Sequence, residues 1–497
     1  YVADICYFKG ENPSSGVPNV SSMLPSGYAA DVANRDVILN RMIVKDGRIF
    51  LPDGMNYSLL ALPQLNSISL ALLQKIRDLV ASGMTLAVQN KPDSSPGLFS
   101  TNAEVKALAD ELWGNLDGVK VTERTYGKGR IIWIKSLAEI PNRLQIKPDF
   151  GFAAGNKDAA VRYVHKRIGE MDMYFVANCS RREEQVACSF RVDGKQPEIW
   201  DPETGEISGA ALYEFKDGRT RVPLHLEPAG SVFVVFRKPP QVPVYHSVYR
   251  DGVKLIEAAE PLPEPMSPAP LRMKCTTNGK IEALIWRDGD YRFQNARTSA
   301  SIKVENTCRT LPINGSWIVQ FPAGLGAPDA IRMDALDSLS KNSEFGVRHF
   351  SGTMTYVKTI SLNKDFINDQ RVFLDLGHVE VIAEVNLNGR DLGILWKDPF
   401  RVDVTKALRE GENELKIKVT NLWPNRLIGD EYFPAEDEYT ALGAIVKLPE
   451  WFVKDLPRPG PRIAFSTWRH YTKNDPLPAS GLIGPVKLVT AVQRTFV

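Results

Sequence analysis

Ile382-Ala383-Glu384-Val385-Asn386-Leu387-Asn388-Gly389 is the stretch whose reading settles the architecture of the C-terminal third. Its first six residues read as a strand. Asn388-Gly389 then supplies two consecutive positions that accept positive φ, as a tight β-hairpin turn demands. Working outward, 353–362, 371–376 and 415–419 also read as strands, and Gly411-Glu412-Asn413 reads as a second turn. Short strands punctuated in this way predict a jelly-roll-like β-sandwich over residues 336–497.

Residues 241–335 are expected to hold a proline-rich linker and a small β domain. Pro239, Pro240, Pro243, Pro261, Pro263, Pro265, Pro268 and Pro270 stiffen the chain there and remove ladder donors. Strands follow at 280–286, 291–293 and 301–304, and 311–317 ends in a turn and another strand. Residues 151–240 predict another β-sandwich, with strands at 173–178 and 186–192 around the turn 180–184, then 198–200 and 231–236. Trp200 is read as capping a strand.

Residues 1–150 alternate strand and helix instead. Strands at 2–8, 57–63, 84–88 and 130–134 are separated by helical patterns at 34–42, after Ser69, and at 103–113. Ser69 is placed to cap its helix, whose Leu72, Leu73, Ile76, Leu79 and Val80 recur at helical spacing, and Gly83 ends it. This alternation predicts a parallel sheet covered by helices. The loop 89–97 lacks GxGxxG, a P-loop and a nucleophile elbow. Ser94 and Ser95 are therefore read as loop polar groups and the domain as structural.

The bulk numbers agree with a multidomain globular protein. At roughly 100–200 residues per domain, 497 residues allow three or four domains. The 61 basic and 59 acidic residues are scattered, so no basic face for nucleic acid is readable. No apolar run approaches the roughly 20 residues that span a bilayer, so no membrane segment is expected. The chain starts Tyr1-Val2-Ala3-Asp4 and runs directly into an apolar strand, which suggests a piece of something longer; a processed or engineered boundary is the alternative. Of the cysteines Cys6, Cys179, Cys188, Cys275 and Cys308, none forms a CxxC, which argues against zinc. Cys179 and Cys188 flank a polar turn and would allow one disulfide; buried free thiols are the preferred reading.

Several strings resemble a known family. Leu374-Asp375-Leu376-Gly377, Ala383 to Gly389, Leu392 to Phe400 and Val402-Asp403-Val404-Thr405 are similar to the galactose-binding-like sandwich attached to many glycosidases. Asn421-Leu422-Trp423-Pro424-Asn425-Arg426-Leu427-Ile428-Gly429-Asp430-Glu431 resembles glycoside hydrolase family 106, the α-L-rhamnosidases. Asn34 to Leu39, Leu51 to Tyr57, Val164 to Arg167 and Trp200 to Gly205 resemble the part of that family that follows its catalytic barrel. The first domain also resembles the flavodoxin/amidotransferase-like module behind the barrel of some β-galactosidases, without the amidotransferase cysteine. The resemblance implies a (β/α)₈ barrel carrying the catalytic glutamates, which this chain lacks. It also implies calcium in that missing barrel, a carbohydrate partner, and a periplasmic or secreted location. No catalytic residue, metal ligand or cofactor is assigned within the chain itself.

Glycoside hydrolysis needs two carboxyl groups about 5–5.5 Å or about 6.5–9.5 Å apart. Asp430-Glu431 and Glu436-Asp437-Glu438 are the best local carboxylates. For Asp430 and Glu431 two readings stay open: sugar-hydroxyl recognition together with Asn425 and Arg426, or an Arg426–carboxylate pair that fixes the loop. Glu436–Glu438 read as a charged loop. Trp396, Trp423, Trp451 and Trp468 offer aromatic faces, with core burial the ordinary reading, and Trp396 before Lys397-Asp398-Pro399 is the substrate-binding candidate. His225, His349 and His470 are read as structural groups in strands.

Overall fold

Ile5–Phe8 pairs in parallel with Ala30–Ala33 on one side and Leu59–Ala61 on the other; Thr85–Val88 and Gly129–Trp133 extend the parallel sheet. Glu123–Tyr126 adds an antiparallel edge. The central strands are buried on both faces, which is why they read as unbroken apolar runs. On one face Phe8, Leu60, Leu86 and Val88 pack against Leu72 and Ile76 of the helix Leu70–Ala81 and Leu112 and Trp113 of the helix Asn102–Trp113. On the other, Tyr7, Leu59 and Ala87 meet Val20, Leu137 and Ile140. The structure is a computed structural model and describes residues 1–12, 16–97, 100–240, 245–258, 271–276, 278–295, 299–367 and 370–496. Pro243, Pro261, Pro263, Pro265, Pro268 and Pro270 lie outside the described residues.

The local chemistry differs from expectation at three points. Ser69 precedes its helix but does not cap it: its hydroxyl and its backbone N–H both donate to the Glu11 carboxylate, at 2.6 and 2.7 Å. The second helix has a full capping box instead, Thr101 accepting from Glu104 N–H and Glu104 from Thr101 N–H. The helix expected over 34–42 is present over 35–41, but as a π-helix along Val37–Arg41 and not as a regular α-helix.

Next in the chain, Phe150–Ala154, Glu184–Phe190, Arg219–Leu226 and Glu214–Lys216 form one sheet. Val161–Ile168, Met171–Asn178, Ser231–Lys238, Gln196–Trp200 and Ile207–Gly209 form the facing one. Phe150, Tyr174, Phe190 and Phe236 interlock between them. Trp200 ends its strand, its indole N–H donating to Glu198 at 3.0 Å. The strands on either side of the 180–184 turn therefore belong to opposite sheets, not to one hairpin. Cys179 and Cys188 do not face each other across a ladder, and all five cysteines are free.

The ladder then crosses the expected boundaries near 240 and 335. Gly209 pairs with Cys275 of Leu271–Cys275, which pairs with Ile281–Ile285, which pairs with the C-terminal half of Lys487–Phe496. The N-terminal half of Lys487–Phe496 pairs with Arg371–Asp375 and Thr310–Pro312. Opposite, Ala330–Met333, Trp317–Gln320, Thr353–Leu362, Gly411–Thr420, Ile382–Leu387 and Arg390–Leu395 form the second sheet of the final sandwich. Asn388 and Gly389 take φ of 54° and 81° at its hairpin, as the sequence predicts. Gly411-Glu412-Asn413 is not a separate turn; it opens the strand Gly411–Thr420, with Glu412 paired to Ser361. Asn413 is fully buried, and its amide side chain bonds Arg409, Gly411 and Asn388, so a turn-forming residue is consumed inside the strand.

The chain is thus mostly β, in several sheets. Among the described residues, parallel ladders are confined to the first sheet, and no eight-stranded α/β barrel is present. No helix among them is long and apolar enough to cross a membrane.

Candidate functional site

The helix Pro424–Asp430 carries three of the five expected site residues, Asn425, Arg426 and Asp430, and a fourth, Glu431, is its C-cap. Pro424 suits its first turn, where a missing N–H costs nothing. Gly429 lets the helix close on the sandwich: a Cβ there would sit 2.6 Å from the Cβ of His349. Ser351 Oγ donates to Leu422 C=O at 2.8 Å and accepts from Arg426 N–H at 3.2 Å. Asn421 bridges Phe350 and Ser480. His349 follows the short helix Phe345–Arg348 and His470 lies in irregular chain, so of the three histidines expected in strands His225 alone occupies one.

Burial brings Asn425, Arg426 and Asp430 to 3, 2 and 3 % exposure. Arg426 Nη1 reaches Asp430 Oδ1 at 3.4 Å, a single long contact and not a bidentate fork. Burial pushes the Arg426 guanidinium below its ordinary value. Asp430 Oδ2 accepts the backbone N–H groups of Ile463 and Ala464 at 2.9 and 2.6 Å. Asn425 donates to Pro478 C=O at 3.1 Å. Glu431 receives Arg462 Nη1 at 2.9 Å on one oxygen and Arg469 Nε at 3.0 Å on the other. Arg462 continues to Pro434 and Phe433 carbonyls, and Arg458 pairs with Glu436. This arginine–carboxylate lattice clamps the long excursion 432–480 to the sandwich. The arginines escaped the sequence reading because they lie some thirty residues from their partners; the acidic 430–438 run followed by Arg458, Arg462 and Arg469 was the available signal.

Trp396 follows the strand Arg390–Leu395 and is 57 % exposed. Trp423 and Trp468 are also exposed, and Trp451 is partly buried, so the core reading fails for the first three. None of the polar contacts of Asn425, Arg426, Asp430 or Glu431 involves Trp396. Its neighbour Lys397 instead reaches the middle sandwich, pairing with Glu203 at 2.9 Å and Glu227 at 3.2 Å. Burial opposes the Lys397 charge, but these two carboxylates outweigh it and raise the ammonium above its usual value. Arg272 joins Glu227 from the other side. These groups line a cavity of about 300 Å³ with His225, Leu224 and Leu271. Burial, with Arg272 adding to it, pushes His225 down to about 4, so that imidazole is neutral at pH 7. Every charge in this junction has an internal partner, so the cavity is a seam between modules. Among the described residues, no group of three or more His, Cys, Asp or Glu side chains is arranged to hold a metal ion.

Comparison with known proteins places this geometry. Residues 1–214 match the family described as alpha-L-rhamnosidase, glycoside hydrolase 106. Residues 334–436 match the galactose-binding domain-like module of glycosyl hydrolase family 2. A solved rhamnosidase from Novosphingobium sp. PP1Y is 28 % identical and superposes over 98 % of this chain and 39 % of its own, with a TM-score of 0.69. A curated relative from Formosa agariphila, named putative beta-glucuronidase, is 28 % identical over 670 aligned positions, which cover 100 % of this chain and 56 % of that protein. The chain therefore spans little more than half of the curated relative and less of the solved one. The first 214 residues thus match the α-L-rhamnosidase family model, and the chain shares its fold along nearly its whole length with a solved rhamnosidase, of whose length it spans a part.

Proposed function

We propose that this chain is the accessory, non-catalytic portion of an α-L-rhamnosidase-like glycoside hydrolase that acts on rhamnose-containing glycans, periplasmic or secreted. One observation carries the reading. The best local acids are spent on internal partners: Asp430 on two backbone N–H groups, Glu431 on two arginines, Glu436 on Arg458. Carboxylates saturated in this way stabilise a scaffold and are poor proton donors or nucleophiles. The flavodoxin/amidotransferase-like assignment of residues 1–150 is supported by the parallel strand order, second-first-third-fourth-fifth in sequence, which is a doubly wound order. In this reading the sandwiches brace a (β/α)₈ barrel carried elsewhere. The expected outcome is no turnover of nitrophenyl rhamnoside by the chain alone, and turnover by a polypeptide that also carries the barrel. Activity of the chain alone that disappears in Asp430→Asn or Glu431→Gln would end this reading.

A second reading, a stand-alone carbohydrate-binding module, is favoured by the exposure of Trp396, whose face is free for stacking on a sugar ring. It expects millimolar or tighter binding of rhamnose-containing oligosaccharides by titration calorimetry, lost in Trp396→Ala.

A further inference from the structure

The excursion 432–480 reverses the usual distribution of polarity. No residue of it belongs to any of the hydrophobic cores of the described chain. It is held instead by charge and hydrogen bonds: Glu431 to Arg462 and Arg469, Glu436 to Arg458, Asp430 to the backbone at 463–464, and Tyr439 OH to Ser466 C=O at 2.9 Å. Glu431, Glu436, Arg458 and Arg462 are only 10–14 % exposed. The large apolar groups point to water. Leu442 is 82 % exposed, Val453 65 %, Leu456 52 %, Phe452 51 % and Trp468 44 %. No other stretch of comparable length among the described residues exposes so many.

These groups are presented in a fixed arrangement. Phe452 lies 4.6 Å from Phe465, centroid to centroid, Trp451 packs on Phe465 at 5.3 Å, and Arg458 covers the Trp451 ring at 5.0 Å. Backbone bridges Tyr439–Ile445 and Ala444–Trp468 set Trp468 beside the Leu442 turn. Exposed apolar surface costs roughly 25 cal/mol per Å² until it is covered, and a concentrated patch on a rigid frame marks a contact surface. Rigidity also lowers the ordering entropy lost on docking.

We propose that the outer face of 439–456, with Trp468, docks the remaining part of a longer rhamnosidase-like polypeptide. The inference rests on the accessory reading above and names its contact surface. The occupant follows from length: the matched region is 39 % of the solved rhamnosidase and 56 % of the curated relative, so both carry a large body of chain outside it. A part of the same polypeptide binds at the high effective concentration that a tether provides, so a face of a few side chains suffices.

The test is amide hydrogen exchange over 440–456 in this chain alone and in one polypeptide with the remainder, together with sedimentation of the chain and of its Phe452→Asp/Val453→Asp variant. The proposal expects a monomer in both sedimentation runs. It expects exchange at least about tenfold slower in the longer polypeptide, with the fast rate restored by the double substitution. Equal exchange in the two settings overturns it, because the face then meets solvent. A dimer of the chain that the substitution abolishes also overturns it, in favour of a second copy. Slowed exchange in a longer polypeptide that lacks rhamnosidase turnover sinks the accessory reading and leaves the docking face standing. Turnover with unchanged exchange does the reverse.

Discussion

His165 sits between two carboxylates at the seam of the first domain and the middle sandwich. Its Nδ1 is 3.0 Å from Asp149 and its Nε2 3.1 Å from Asp172, and its ring stacks 3.9 Å from Tyr174, whose hydroxyl also donates to Asp149. Arg167 and Lys195 face Asp172, while Arg191 faces Asp149 and Asp4. An imidazolium satisfies both acceptors; a neutral ring directs a lone pair at one of them. Burial opposes the charge, but the bonds to Asp149 and Asp172 outweigh it and raise the group above its ordinary value. A raised value means that this contribution to stability is complete below the unfolded value, about 6.5, and is lost as pH climbs through the folded one. Urea unfolding is expected to show stability falling with rising pH in that window, and His165→Gln to abolish the slope while costing about 3–5 kcal/mol. At the same scale, Glu431→Gln frees Arg462 and Arg469 and should speed amide exchange at 462–469 without altering the parallel sheet. The pairings in neither network were legible in the sequence, since Asp149 and Arg462 are separated along the chain from their partners and the acidic run at 430–438 does not say which arginine each carboxylate meets.

Elements were legible where local chemistry alone decides them. Asn388-Gly389 has a single good use, so the hairpin and its strands follow; Gly389→Val, forcing a β-branched residue to φ of 81°, should cost more than about 1 kcal/mol in thermal unfolding. The helix Asn102–Trp113 depends on its capping box, and Thr101→Ala should cost about 1 kcal/mol by denaturant titration. Ser69 looked equivalent in sequence but spends its hydroxyl on Glu11, so Ser69→Ala should weaken the tie to the 9–12 segment and leave the helix start intact. Elements failed to read where tertiary contacts rewrote local preference. Gly411 to Asn413 carries turn residues, yet the Asn413 amide accepts from Asn388 of the neighbouring hairpin as well as from the nearby Arg409 N–H, and the strand begins earlier than composition suggests.

Over the whole molecule, the order of strand types was legible and the assignment of strands to sheets was not. Short β patterns at 271–285 and 487–496 look alike whether they close a local domain or bridge two. Here Lys487–Phe496 gives Val492 to Phe496 to Ile281–Ile285 and Lys487 to Ala491 to Arg371–Asp375. A proline at Ala491 should therefore raise exchange in both 281–285 and 371–375; loss of protection in one alone would show the two sheets to be independent.

That shared strand fixes a timetable for biogenesis. During translation, the flanks of Ile281–Ile285 and Arg371–Asp375 emerge with open edges that must wait for more than a hundred further residues before their common neighbour arrives. Unpaired edges invite intermolecular pairing. Ribosomes stalled short of residue 487 should yield chains that a holdase retains and that clump when it is withdrawn, whereas a nascent chain long enough to expose residue 496 should escape.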